Sequence, residues 1–257
     1  MELSIAELLT GPMVVGLRVS GLMLFAPFFS NAGIPPRVKA VLVILITAVL
    51  YPACAAKIGI ITLSQWPGVV ARELIIGIAI GVSTNFVFEA AQMAGQILGV
   101  QMGYSLINIL DPQTQVDTTV MAVFHQMIAF LFFLQLNVHH WILRGIANSF
   151  DYLAPASASI SRGLPVELFH GIAGVLETGL QIAAPVMAAS LVADIILGFL
   201  GKASPQLPVM LLGPAFKSML GIGLLVTAIH YWPTLFDHYF TQSLAYTERI
   251  LHLAAQP

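Results

Sequence analysis

The chain has 257 residues, of which 58% are hydrophobic and 9% are charged. Soluble domains have about 45–50% apolar and about 25% charged residues, so a water-exposed surface would be short of charge here. The net charge of −2 leaves no basic face for nucleic acid, and a disordered chain would be poor in hydrophobic residues. The composition therefore predicts an integral membrane protein, in contact with membrane lipid, and excludes an ordinary soluble enzyme.

Six long hydrophobic elements follow one another along the chain. A spanning helix needs about 20 apolar residues, and lipid offers no hydrogen-bond partner to open backbone groups. The apolar runs lack the period-two alternation of a transmembrane barrel strand. Pro185 inside the fifth element predicts a kink. We therefore predict an all-α integral membrane protein with helices at Glu7–Phe29, Arg37–Ala56, Val69–Leu110, Val120–Leu143, Val166–Leu200 and Leu207–Trp232.

We expect one membrane domain over residues 1–257 and no separate soluble domain. Residues 1–110 would form the N-terminal helices, and residues 118–232 would form the C-terminal helices. The segment 103–119 joins these two halves. Residues 233–257 are predicted to be a short amphipathic tail.

The charges between the hydrophobic elements do not define the membrane orientation. With six consecutive crossings, one side carries Arg37, Lys39 and Lys202. The positive-inside rule needs a clearer bias than these three charges against the five on the other side. Either some elements form hairpins that do not span, or partners set the orientation. The five charges on the other side are Lys57, Arg72, Arg144, Arg162 and Arg249.

A stripe of polar and small residues runs along one face of the third element. At about 100° per residue, its members fall within about 80° of one another on a helix. Small side chains allow close backbone approach, and amide side chains hydrogen-bond across helices. The pattern favours a tight helix–helix seam at subunit contacts, and a face lining a polar conduit is the alternative. The polar stripe consists of Asn85, Glu89, Gln92, Gln96, Gly99 and Gly103.

Charged side chains inside hydrophobic elements are costly in lipid and usually face a bundle interior or water. Asp194 and Lys202 are eight residues apart and share one helix face, so a structural ion pair is expected, with a proton relay as the alternative. Because the charges are spread over different elements, we interpret them as assembly contacts and not as a transport site. These intramembrane charges are Arg18, Glu89, Asp194, Lys202 and Lys217.

The segment Gly103–Thr119 joins two strongly hydrophobic elements, yet it is polar and carries only Asp111 and Asp117 as charges. Irregular backbone at membrane depth is tolerated where it is buried in protein or lines water. The mixture of Leu and Ile with Asn and Gln predicts a semi-buried constriction, and an ordinary exposed loop is the alternative. The candidate constriction residues are Leu106, Ile107, Asn108, Ile109, Leu110, Asp111, Pro112 and Gln113.

The sequence contains no pattern that supports catalysis, a cofactor or a metal site. Its single cysteine, Cys54, excludes an internal disulfide and a cysteine-based metal cluster. It has neither the HExxH motif of metalloproteases nor the GxSxG motif of serine hydrolases. We therefore predict a protein that is not an enzyme.

Several short motifs, taken together in order and spacing, resemble the flagellar biosynthetic protein FliR family. Arg18 is followed by a proline-phenylalanine motif, and the third element has a glycine every fourth residue. The similarity extends from about Leu8 to Trp232. The motifs are Ala26–Phe29, Ile34–Lys39, Glu73–Gly77, Gly95–Gly103, Asp111–Pro112 and Gly201–Leu207, with Lys202 where that family commonly has Arg.

The resemblance implies a subunit of the type III secretion export gate in the bacterial inner membrane, at the flagellar basal body. In that family the protein joins FliP- and FliQ-like subunits in a helical, pore-like core. The gate works with FlhA- and FlhB-like export proteins on unfolded substrates. The family's helices form hairpins that need not span lipid, which would explain the weak charge bias. Its plug loop would correspond here to about Gly103–Thr119.

Three alternatives remain open at this point. The equivalent export-gate subunit of an injectisome shares the fold and most of the motifs. A secondary transporter for a small solute would need discontinuous helices and usually a paired repeat, and no matching second half is evident. An intramembrane hydrolase would need a nucleophile and a base, for which there is no support.

Overall fold

The computed structural model describes residues 5–27, 29, 33–59, 61–104, 118–153, 163–204, 206 and 208–255. Within these ranges the regular structure is entirely helical, which confirms the predicted all-α membrane protein. Two short 3₁₀ helices, Ala55–Lys57 and Leu63–Gln65, lie between the second and third α-helices. The α-helices are α1 (Ile5–Phe25), α2 (Pro36–Cys54), α3 (Trp66–Gln101), α4 (Val120–Gln135), α5 (Val138–Tyr152), α6 (Gly163–Ala203), α7 (Val209–Ala228) and α8 (Trp232–Ala255).

Proline and one left-handed residue explain several of the helix boundaries. Pro36 occupies the first turn of α2, where a missing N–H costs nothing. The fourth hydrophobic element, predicted as one helix, breaks at Asn137, whose φ is 55°. Asparagine tolerates this left-handed conformation better than most residues, so it ends α4 and lets α5 start in a new direction. The two helices are bent by 66°. α6 continues through Pro185 as one helix, and the kink at this residue stays a prediction.

The segment predicted as a short amphipathic tail forms most of a 24-residue helix, α8. It follows α7 after a bend of 73°. Its buried side chains include Phe236, Phe240 and Ile250, so it forms part of the hydrophobic core. The mean hydropathy of this segment is low because only one face of the helix is apolar. The composition therefore did not indicate that α8 contributes to the core.

By length and composition, three described helices are able to cross a membrane: Pro36–Cys54, Leu63–Gln101 and Pro165–Ala203. Counting each bent helix pair as one span raises the number to five. The six predicted hydrophobic elements therefore do not all become long straight spans.

The contacts divide the chain into two compact units. Unit 1 combines residues 1–86, 134–172 and 240–257. Its core is formed by apolar side chains of α1, α3, α5 and α8. Hydroxyl groups also connect α8 to α3: Ser83 and Thr247 are hydrogen-bonded at 2.8 Å, and Ser243 donates to the Ser83 carbonyl. Core residues of unit 1 include Val15, Val19, Leu22, Ile80, Ile146, Phe150 and Ile250.

Unit 2 combines residues 87–133 and 173–239. Its core combines small and aliphatic side chains with several aromatic contacts. Phe88 meets Phe133 edge-on at 5.5 Å between ring centroids, and Phe132 stacks on Phe236 at 5.1 Å. Such pairs contribute about 0.5–1.5 kcal/mol beyond the area that they bury. They attach α4 to α3 and to the start of α8.

Candidate functional site

A buried charge cluster centred on Arg18 connects three helices of unit 1. Arg18 of α1 is fully buried, and its Nε donates to Oε2 of Glu73 in α3 at 2.7 Å. Its Nη1 donates to the Ser149 hydroxyl at 2.7 Å and its Nη2 to the Leu153 carbonyl at 3.3 Å. The guanidinium also lies 3.7 Å from the ring centroid of Phe150. Arg18 thus bonds α3 and the C-terminal end of α5 at the same time.

Close backbone approach between α1 and α3 makes this cluster possible. Gly77 lies one helical turn after Glu73, and a Cβ on Gly77 would overlap the Arg18 carbonyl oxygen. A Cβ on Gly21 would lie 2.5 Å from the Leu74 carbonyl oxygen. Glycines therefore let the two backbones touch, which brings the short Glu73 side chain within reach of Arg18.

The cluster changes the interpretation of Arg18. We interpreted it as an assembly contact, whereas the structure places it in the interior of its own chain. Glu73 was quoted within a family motif and not as a partner, because it stands at the edge of an apolar run. A single basic residue in one hydrophobic helix and a single acidic one near the start of another is a signal that could have predicted the pair.

The small members of the polar stripe pack against helices of unit 2. A Cβ on Gly99 would lie 2.5 Å from the Thr119 hydroxyl oxygen, just before α4. A Cβ on Gly103 would lie 2.8 Å from Pro214 of α7. The stripe's larger members have different environments: Glu89 is exposed, while Gln92 and Gln96 are half-buried. The role of the stripe in subunit contacts stays a prediction, as does that of half-buried Asn85.

The candidate constriction residues, 106–113, lie outside the described residues. Tyr104, directly before the segment 105–117, and Thr119, two residues after its end, are both hydrogen-bonded within unit 2. The Tyr104 hydroxyl is hydrogen-bonded to the Ser218 hydroxyl of α7 at 2.7 Å. The Thr119 hydroxyl donates to the Gly95 carbonyl of α3 at 3.2 Å. Gly103, with φ of 84°, ends α3 in a left-handed turn that glycine adopts without strain.

The second charge pair lies in unit 2. Lys217 Nζ of α7 is 2.7 Å from Asp194 Oδ1 of α6. We expected Asp194 to pair with Lys202, eight residues later, but the ion pair that the structure gives it is with Lys217. Lys202 lies in the last turn of α6 and is exposed. Sequence spacing along one helix did not predict a partner on the next one.

The polar contacts described above connect helices to one another. They contain no group of three His, Cys, Asp or Glu side chains that could hold a metal ion. The glycine-rich α3 packs against α1 in unit 1 and against the start of α4 in unit 2, which is typical of a close-packed helical membrane protein. The fold therefore defines the class: an all-α membrane protein whose polar residues serve helix packing.

The chain belongs to family 1 of the bacterial export proteins, whose family model matches residues 9–243. It is 29% identical over 228 residues to flagellar biosynthetic protein FliR of Escherichia coli K12, which covers 88% of this chain and 87% of that protein. FliR of Bacillus subtilis 168 is 24% identical over 229 residues, or 88% of each chain. The surface presentation of antigens protein SpaR of Shigella sonnei is 25% identical over 208 residues, or 81% of this chain and 80% of its own. These findings confirm the FliR-family resemblance.

Proposed function

We propose that the protein is a subunit of the flagellar type III protein export gate, which helps to form and seal the channel for unfolded flagellar proteins. The observation that carries this proposal is the family match over residues 9–243, together with relatives named flagellar biosynthetic proteins. Its place would be the bacterial inner membrane, at the flagellar basal body. Its partners would be FliP- and FliQ-like gate subunits and FlhA- and FlhB-like export proteins. Its mechanism would be passive conduction, without catalysis.

The exposed apolar surface supports assembly with sibling subunits. Large hydrophobic side chains are exposed along both α2 and α6, such as Val49 at 77% and Phe199 at 71%. Surfaces of this kind need either lipid or protein around them. In the proposed gate, siblings cover part of this surface, and Glu89 and its stripe organise some of those contacts.

We infer that residues 106–113 act as the plug of the closed channel. The bonds at Tyr104 and Thr119 support this role, because they fasten both flanks of the segment to α7 and α3. In this proposal the segment blocks the passage without any separate partner.

Deletion of residues 107–112 tests the plug. We expect the gate complex to assemble with FliP- and FliQ-like subunits but to leak small ions, measured as membrane conductance. A matched control deletes the six residues 156–161 from another inter-helix segment and is expected not to leak. An assembled, non-leaking 107–112 deletion would sink the plug assignment. Failure of the intact chain to co-purify with FliP- and FliQ-like proteins would contradict the gate itself.

The relative SpaR keeps an injectisome export-gate subunit as the second candidate. Complementation separates the two: we expect the chain to restore motility to a cell that lacks its FliR protein. Restoration of injectisome secretion alone would favour the second candidate. Purification as a stable monomer that binds a small solute would favour a transporter instead.

A further inference from the structure

Unit 1 contains a cavity of about 230 Å³ lined by α3, α5 and α8. It is separate from the Arg18 cluster, and none of the roles proposed above uses it. Its lining divides into a buried floor and an exposed rim. The two parts have different chemistry, which restricts what the cavity can bind.

The floor of the cavity is apolar in effect. It consists of Ile80, Ile142 and Leu251 with the two hydroxyl residues Thr84 and Thr247, and all five are buried. The Thr84 hydroxyl donates to carbonyls one turn earlier in α3. The Thr247 hydroxyl bonds to a serine of α3 and to a carbonyl of its own helix. Because both hydroxyls donate to carbonyls inside the protein, the floor offers a ligand mainly hydrocarbon and no free hydroxyl donor.

The rim carries one charge of each sign. Arg144 and Asn148 lie one turn apart on α5, and Glu248 lies on α8. All three are exposed, and within the described part of the chain neither charged group has an ion pair. Trp141 and Tyr152 complete the rim. Tryptophan and tyrosine are the residues that sit at headgroup level in membrane proteins.

The rim charges Arg144 and Glu248 would interact differently with the three common types of lipid headgroup. A phosphoglycerol headgroup has only negative charge, which Arg144 would attract and Glu248 would repel. A choline headgroup has a positive charge but no N–H to donate. A phosphoethanolamine headgroup has a phosphate for Arg144 and Asn148 and an ammonium that donates to Glu248. A zwitterion of this kind matches a rim whose two charges sum to zero.

We propose that this cavity binds a phosphatidylethanolamine molecule, with its headgroup at the Arg144–Glu248 rim and part of one acyl chain on the apolar floor. Pockets between membrane helices that carry basic side chains are known lipid-headgroup sites. The carboxylate here changes the preference from anionic to zwitterionic lipid. The site does not depend on the export role, and it would hold lipid whether or not the plug assignment is correct.

Filling the cavity tests the site directly. Gly145 lines it, and a Cβ built there meets no atom within 4 Å, so the side chain of Gly145→Leu starts in open space beside the cavity. Gly198→Leu is the matched control, because a Cβ at that α6 position also meets nothing within 4 Å. The full-length protein is purified in detergent with equal amounts of phosphatidylethanolamine, phosphatidylglycerol and phosphatidylcholine of identical chains. Native mass spectrometry then counts bound lipids.

We expect phosphatidylethanolamine to be the preferred adduct of the unaltered protein and of Gly198→Leu, and to be lost from Gly145→Leu. Arg144→Gln and Glu248→Gln should each weaken that adduct by about 2- to 5-fold, the range for one exposed charge contact. Arg37→Gln, which removes an exposed charge from the start of α2, should leave it unchanged.

Three outcomes would overturn the inference. The first is a phosphatidylethanolamine adduct that survives in Gly145→Leu at the level of Gly198→Leu. The second is equal binding of phosphatidylglycerol or phosphatidylcholine by the unaltered protein. The third comes from a photo-crosslinking group at position 148 in the assembled complex: capture of a sibling subunit in place of lipid would assign the cavity to a protein contact.

Discussion

Two ion pairs of this protein have the same separation but differ in how far they are exposed. The Arg18–Glu73 contact in unit 1 and the Lys217–Asp194 contact in unit 2 both measure 2.7 Å. The first pair has no exposed side-chain surface, while Lys217 is 18% and Asp194 is 46% exposed. Distance alone therefore does not rank them. Burial decides how much each charge depends on its partner.

The Arg18 pair is also part of a larger set of bonds. Its guanidinium satisfies the Ser149 hydroxyl and the Leu153 carbonyl and covers the Phe150 ring, whereas the Lys217 ammonium is a single compact charge. Removing Arg18 takes the donor away from the Glu73 carboxylate and the Leu153 carbonyl, while the Ser149 hydroxyl still donates to the Ile146 carbonyl. Removing one member of the exposed pair leaves a charge that solvent or headgroups can reach.

The largest expected effect is at Arg18. Arg18→Met keeps an apolar stem but leaves the Glu73 carboxylate buried and unpaired. We expect the free energy of unfolding to fall by about 3–5 kcal/mol, the usual loss when one partner of a buried pair is removed. Denaturant unfolding of the purified protein in detergent measures it.

The double variant Arg18→Met with Glu73→Leu is the control for this prediction. It removes both charges, so it should recover a large part of the loss even though it lacks the ion pair. A double variant as unstable as Arg18→Met alone would mean that the unpaired carboxylate is not the cause. The packing of Arg18 against Phe150 would then be the main contribution.

The sequence determines the fold class of this protein but not the pairing of its charges. The six apolar elements and the all-α class follow from hydrophobicity, because lipid permits few backbone structures. The intramembrane charges are visible in the sequence for the same reason. Their partners are not, since Arg18 and Glu73 are 55 residues apart and meet only when α1 packs on α3. The choice between Lys202 and Lys217 for Asp194 likewise depends on tertiary packing.

The hydrophobic periodicity of the sequence does not predict two of the helix boundaries. The apolar run through Val120–Leu143 has no proline, so the break at Asn137 depends on the conformation of one residue. The segment after Trp232 is polar on one side, and its apolar side becomes core only where Phe236 and Ile250 meet other helices. The plug assignment rests on the family resemblance and on its described flanks.

The second prediction compares one glycine beside each ion pair. Gly77 lies four residues after Glu73, and Gly213 lies four residues before Lys217. A Cβ at Gly77 would overlap the Arg18 carbonyl oxygen, while one at Gly213 would lie 3.6 Å from Leu197, an ordinary contact. Gly77→Ala should therefore destabilise the protein by about 1–3 kcal/mol, the usual cost of overpacking.

Gly213→Ala should be neutral or slightly stabilising, because alanine is the better helix former. Thermal unfolding of the two variants side by side measures the difference. Equal stability of the two would mean that α1 moves away from α3 at little cost. In that result the close approach would not be what positions Glu73 against Arg18.

The smallest expected effect is at Lys217. Lys217→Met should change the free energy of unfolding of the isolated protein by about 0–1 kcal/mol, the range for exposed ion pairs, and added salt should reduce even that.

The same variant also tests the assembled complex. If sibling subunits cover this pair, its removal would leave Asp194 desolvated, so co-purification of FliP- and FliQ-like subunits should fall while the isolated protein stays stable. The charge exchange Lys217→Asp with Asp194→Lys should restore assembly. If Lys217→Met destabilised the isolated protein as much as Arg18→Met does, the two ion pairs would contribute equally to the free energy of unfolding. Burial would then not distinguish them.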